Sequence, residues 1–65
     1  MVKVNGNEVN NTNGISLEEF LIGEGYLLER IVVELNGEIM PKPQYNQTNI
    51  KDGDSLEVIS FVGGG

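Results

Sequence analysis

The stretch Lys51-Asp52-Gly53-Asp54-Ser55-Leu56-Glu57-Val58-Ile59-Ser60-Phe61-Val62-Gly63-Gly64-Gly65 joins a tight turn, a long strand and a glycine tail without interruption. In Lys51-Asp52-Gly53-Asp54 the glycine suits the unusual backbone angle of a tight turn, and the aspartates suit its flanks. From Ser55 to Val62 the residues alternate. Leu56 and Val58 share one face with Ser60 and Val62, while Glu57, Ile59 and Phe61 share the other. The first face is the better candidate for a core. On that reading, Ile59 and Phe61 are left on the opposite face, close to the tail.

Working back along the chain, Ile31-Val32-Val33-Glu34-Leu35 is β-branched and reads as a central strand, with Val33 and Leu35 inward and Glu34 outward. Asn36-Gly37 is a hairpin signal. The returning strand Glu38-Ile39-Met40 must be short, because Pro41 and Pro43 lack the N–H that a ladder needs. Gln44 to Asn49 reads as an irregular crossover or one helical turn. Upstream, Ser16 with Glu19 three residues on forms a capping box, and Glu18 and Glu19 suit the positive end of a helix dipole. Leu17, Phe20 and Leu21 make one helical face apolar, and Gly23 and Gly25 end the helix. At the start, Val2 and Val4 lead through Asn5-Gly6-Asn7 into a returning edge strand at Glu8-Val9-Asn10, blurred by the polar run to Asn13.

The element order predicts an α+β fold in which a mixed sheet of four to five strands wraps one helix, the β-grasp arrangement. Residues 1–62 form the domain and residues 63–65 a reactive tail. The expected core is Val2, Val4, Leu17, Phe20, Leu21, Val33, Leu35, Ile39, Ile50, Leu56 and Val58.

Composition removes many functions. A chain of 65 residues holds one small domain, and without Cys or His it has no disulfide, thiolate, imidazole or usual zinc chemistry. Ten acidic against four basic residues leave a net charge of −6, which disfavours nucleic acid and anionic membranes as partners. The same excess suits steering toward basic protein surfaces, or serves solubility alone. The N-terminal residues lack the apolar run of about 7–15 residues of a signal peptide, so a cytoplasmic location is expected, with the free chain a monomer. The pairs Glu18 with Glu19 and Asp52 with Asp54 read as a helix N-terminus and a turn, not as acid-base or metal sites.

Three segments, Val33-Glu34-Leu35-Asn36-Gly37-Glu38-Ile39 with Pro41, Lys51-Asp52-Gly53-Asp54, and Phe61-Val62-Gly63-Gly64-Gly65, resemble the sulfur carrier family of thiamine biosynthesis, ThiS, a ubiquitin-like β-grasp family. The resemblance spans the whole chain. It implies a carrier, not an enzyme, whose terminal carboxylate on Gly65 is adenylated by a ThiF-like partner using ATP and Mg2+. The adenylate becomes a thiocarboxylate with sulfur from a cysteine desulfurase or another donor, and thiazole synthase consumes it. The small subunit of molybdopterin synthase shares the Asp-Gly-Asp turn and the Gly-Gly end, and a ubiquitin-like protein modifier is a further alternative.

The tail suits such chemistry. A free α-carboxyl has a pKa of about 3.3–3.7, so at neutral pH Gly65 presents an oxyanion able to attack the α-phosphorus of ATP. Three glycines extend roughly 10 Å at about 3.3–3.6 Å each, enough to thread a narrow channel, with no side chain to block entry. Ordering them is costly, so the free tail is expected to be mobile. Ile59, Phe61 and Val62 are the expected docking patch, with Glu34 and Glu57 at its rim.

Overall fold

Two Asn-Gly pairs shape the sheet. Asn5 and Gly6 have φ of 51° and 85°, and Asn36 and Gly37 have 52° and 89°. Positive φ at both central residues is the type I′ geometry, whose twist matches that of the strands it joins. The first turn pairs β1 (Val2–Val4) with β2 (Asn7–Val9), placing Val2 opposite Val9. The second joins β3 (Ile31–Leu35) to β4 (Glu38–Ile39). A final strand, β5 (Ser55–Ser60), enters between the hairpins, parallel to β1 and antiparallel to β3. The sheet order is therefore β2-β1-β5-β3-β4. The computed structural model describes residues 1–10 and 14–61; residues 11–13 and 62–65 lie outside the described residues.

The helix α1 (Leu17–Gly23) begins where the Ser16 hydroxyl accepts the Glu19 N–H at 3.0 Å. It ends in a Schellman motif. The Gly25 N–H reaches the Ile22 carbonyl at 3.0 Å, the Tyr26 N–H reaches that of Leu21 at 3.1 Å, and Gly25 takes φ +89°. At 7 residues this helix is too short to stand alone. It is held by burying Leu17, Phe20 and Leu21 against the sheet, each worth about 1.5–3 kcal/mol.

The inner face of the sheet supplies Val2, Val4, Ile31, Val33, Leu56 and Val58, and Ile50 closes one side. Leu35 packs against this core while partly buried. Ile39 does not join it. The register sets Ile39 opposite Glu34, so both point away from the helix, and Ile39 is 68% exposed. Conversely, Ile31 is buried on the inner face although the unbroken apolar run Ile31-Val32-Val33 gives no alternation from which to assign it. The central strand is β5 and not β3, which lies second from the β4 edge. Strand pairing is assigned as far as Ser60, and the expected strand end at Val62 lies outside the described residues.

The largest departure from expectation is the crossover. Lys42–Gln47 forms two 3₁₀ turns, with Pro41 and Pro43 fixing the backbone at its start, and these turns lower Tyr45 into the core. The Val33 backbone hydrogen-bonds its phenol. Burial pushes the hydroxyl above its ordinary pKa of 10.0, partly offset by that hydrogen bond.

Replacing Tyr45 by Ala is expected to cost about 3–5 kcal/mol, as for other core aromatics. At about 0.05–0.15 kcal/mol per residue that rivals the stability of the whole domain, so circular dichroism should show a largely unfolded chain. Tyr45→Phe should stay folded and carry a pH signature. A raised folded pKa gives stability that is fully present below the unfolded value and is lost as pH rises through the folded one. Urea titrations should therefore show a shallower alkaline loss of stability for Tyr45→Phe than for the parent.

Candidate functional site

The site grows from the way β5 is held. On its β3 side the ladder runs the full length of the strand and one residue beyond, where the Phe61 N–H donates to the Arg30 carbonyl at 2.8 Å. On its β1 side the partner strand is only 3 residues long. There the Lys3 and Asn5 N–H groups bond the Asp54 and Leu56 carbonyls at 2.9 and 2.8 Å. The Asn5 side chain then replaces the missing strand. Its Oδ1 accepts the Val58 N–H at 2.8 Å, and its Nδ2 donates to the Val58 carbonyl at 3.4 Å.

Asn36 does the same at the other end of β5. Its Oδ1 accepts the Ser55 N–H at 2.9 Å, its Nδ2 donates to Asp54 at 3.0 Å, and its own N–H reaches the Ser55 carbonyl at 2.8 Å. Asp54 closes the turn by accepting the Lys51 N–H at 2.8 Å. Both turn asparagines thus hold the strand that leads to the tail. The Asn-Gly motif signals the turn but not this second use of its carboxamide.

The register arranges the outer face of the sheet in three rungs. Arg30 stands across from Phe61, Val32 from Ile59, and Glu34 from Glu57. Ile59 is 48% exposed and Phe61 58%, and Ile39 extends the apolar surface onto β4. The face therefore runs from a basic-aromatic rung beside residue 61, through an apolar rung, to an acidic one. Glu34 and Glu57 face each other across the last rung, and like charges directly opposite are destabilising. The expected patch is brought together at Ile59, Phe61, Glu57 and Glu34, whereas Val62, Gly63, Gly64 and Gly65 lie outside the described residues. Asp52 is lowered by its hydrogen bond from the Met1 amine and by that amine's charge, at the opposite end of β5 from Phe61. Among the described residues no group of His, Cys, Asp or Glu is placed to hold a metal, and no helix is long and apolar enough to cross a membrane.

A five-stranded mixed sheet packed on one main helix, with its central strand preceding a Gly-Gly-Gly sequence, defines a small ubiquitin-like β-grasp protein. The ThiS family model matches residues 2–65. The chain is 35% identical to the sulfur carrier protein ThiS of Bacillus subtilis over the full length of both. It is 40% identical to a thiazole synthase of Paramagnetospirillum magneticum, covering 95% of this chain but only 19% of that protein. The crystal structure of thiamine biosynthesis protein ThiS from Geobacter metallireducens superposes with a TM-score of 0.78 at 34% identity, over 98% of this chain and 97% of that one. The chain belongs to the ThiS family, the sulfur carriers of thiamine biosynthesis.

Sequence reading missed Asn5 and Asn36 as strand clamps, and it gave no role to Arg30. The last had a signal available: it is one of only four basic residues in a chain of net charge −6, and it directly precedes the strand that pairs with the tail's root.

The clamp makes a checkable prediction. Asn5→Gly keeps the turn free of strain while removing both bonds to Val58, so it should cost about 1–3 kcal/mol. Hydrogen exchange should then accelerate at the Val58 amide more than at Leu56.

Proposed function

We propose that this chain carries sulfur as a thiocarboxylate on Gly65 and acts as a co-substrate of its partner enzymes rather than as a catalyst. The observation that supports this most is the family match through residue 65, together with a central strand that precedes the glycine sequence. The Gly65 carboxylate attacks the α-phosphorus of ATP and releases pyrophosphate. The acyl-adenylate then loses AMP to a sulfur nucleophile. Glycine leaves both faces of that carbonyl open. ATP and Mg2+ belong to a ThiF-like adenylating partner, a cysteine desulfurase or another donor supplies the sulfur, and the ATP requirement suits the cytoplasm.

Thiazole synthase is the acceptor in this reading. Supporting it, sequences like this chain form about a fifth of thiazole synthases from two bacteria, Paramagnetospirillum magneticum and Magnetococcus marinus. Docking uses the outer face, with Ile59 and Phe61 as apolar anchors, Val62 next to them in sequence, and Glu34 and Glu57 meeting basic groups of the partner. The repulsion within that acidic rung is relieved when a partner's cation lies between them.

The test is reconstitution with ATP, an adenylating enzyme and a sulfur donor, read by intact mass. The expected product carries one sulfur in place of oxygen on Gly65, and deletion of Gly65 should abolish it while leaving the circular dichroism spectrum unchanged. An unmodified chain with competent partners would overturn the reading. Ile59→Asp, on the exposed face, should keep the fold and raise KM for the carrier by about tenfold or more, as for a central interface anchor.

A further inference from the structure

At the end of β5, Tyr26, Leu27, Arg30, Ile31, Ser60 and Phe61 line an apolar groove of about 320 Å³ that Gly25 completes. Its floor is Ile31, buried at the edge of the core, and its walls are Leu27 and Phe61, each 58% exposed. Arg30 sits at its rim, held in place by its carbonyl's bond to Phe61. Its side chain is exposed and makes no ion pair with any described residue. No described acidic side chain forms an ion pair with this guanidinium, although the chain has ten acidic residues. Water-exposed apolar walls and a guanidinium without an ion pair among the described residues favour a ligand that is apolar with a carboxylate beside it.

We propose that this groove is a second recognition site, distinct from the acidic rung, and that it receives an apolar side chain of the adenylating enzyme while a carboxylate of that enzyme pairs with Arg30. The inference rests on the carrier reading above. Three features fix the occupant's chemistry. The groove adjoins Phe61, so an enzyme that takes the tail covers it. The charge at its rim is opposite to that of the chain as a whole, so general steering toward basic surfaces does not satisfy it. The cation is an arginine, whose planar fork suits bidentate pairing with a carboxylate. The outer face is thereby polar along β5. A partner that offers a carboxylate near the tail and a cation near Glu34 and Glu57 fits in one orientation, whereas the reversed orientation places like charges together at both ends.

The experiment is steady-state adenylation of the full chain by the ThiF-like enzyme, varying carrier and ATP separately. Arg30→Glu and Leu27→Asp, both at exposed positions, should each raise KM for the carrier by about tenfold while leaving kcat within about twofold, as loss of docking contacts requires. Lys51→Glu makes the same change in net charge at the far end of β5 and should shift KM by less than about twofold. Arg30→Lys should recover part of the loss, and the Arg30→Glu effect should shrink in high salt. Equal shifts for Arg30→Glu and Lys51→Glu would reduce the effect to net charge and overturn the site. A rise in KM for ATP instead would place Arg30 against nucleotide and also overturn it, as would an unchanged Leu27→Asp. If the unaltered chain is not adenylated, the carrier reading fails first, which separates the two outcomes.

Discussion

The hydrogen bonds between the Asn5 carboxamide and the main chain of Val58 fix the middle of the molecule. A type I′ turn ends β1 after 3 residues, yet β5 is 6 residues long. Its β1-side edge would otherwise lose its partner at Val58, in a position without full access to water, where an unmade bond costs about 1–3 kcal/mol. One side chain serves in place of two more residues of strand. The mirror arrangement at Asn36 fixes the entry of β5, so its register is pinned at both ends independently of the hydrophobic pattern. Register matters here because a slip of one residue would turn Ile59 and Phe61 inward and send Leu56 and Val58 to water.

That constraint explains how so small a domain can leave apolar surface exposed. Among the described residues eleven buried side chains form the core, and six large apolar residues, including Ile39, Ile59 and Phe61, remain outside. A stability optimum would cover them or make them polar. Ile39 and Ile59 lie instead on paired strands, and Phe61 is tied to Arg30 by its N–H, so this part of the exposed face is presented in one geometry. Presenting a rigid face lowers the ordering cost of association. A carrier passed among several enzymes gains from that, since it must bind each and then leave.

Much of this was legible in the sequence, and the exceptions share a cause. Alternation identified the inner and outer faces of β5, and turn chemistry placed both hairpins, because these signals are local. Tyr45 was not legible. It lies in a polar, proline-flanked segment, and only the crossover that returns the chain beneath β3 brings it into the core. Ile39 failed in the other direction. In a strand of 2 residues there is no period to read, and its face is set by the partner opposite, Glu34. Asn5 and Asn36 carried a correct turn signal that concealed a long-range role, because a carboxamide bonded 53 residues away leaves no local trace. For the candidate site, Ile59, Phe61, Glu57 and Glu34 could be named from alternation, whereas the register that puts Arg30 beside Phe61 could not.

The order of the rungs bears on how a tail of glycines is aimed. Three residues without side chains carry no information about direction, so orientation has to come from the surface behind them. An apolar patch alone is nondirectional. Charges of opposite sign at its two ends supply the missing vector: Arg30 lies beside Phe61, and Glu34 and Glu57 lie two rungs farther back. Reversing a docked partner would then bring like charges together at both ends while burying the same apolar area, so the orientations differ by electrostatics and not by contact area. Specificity of this kind can be strong while affinity stays modest, which is the combination that repeated transfer between enzymes requires.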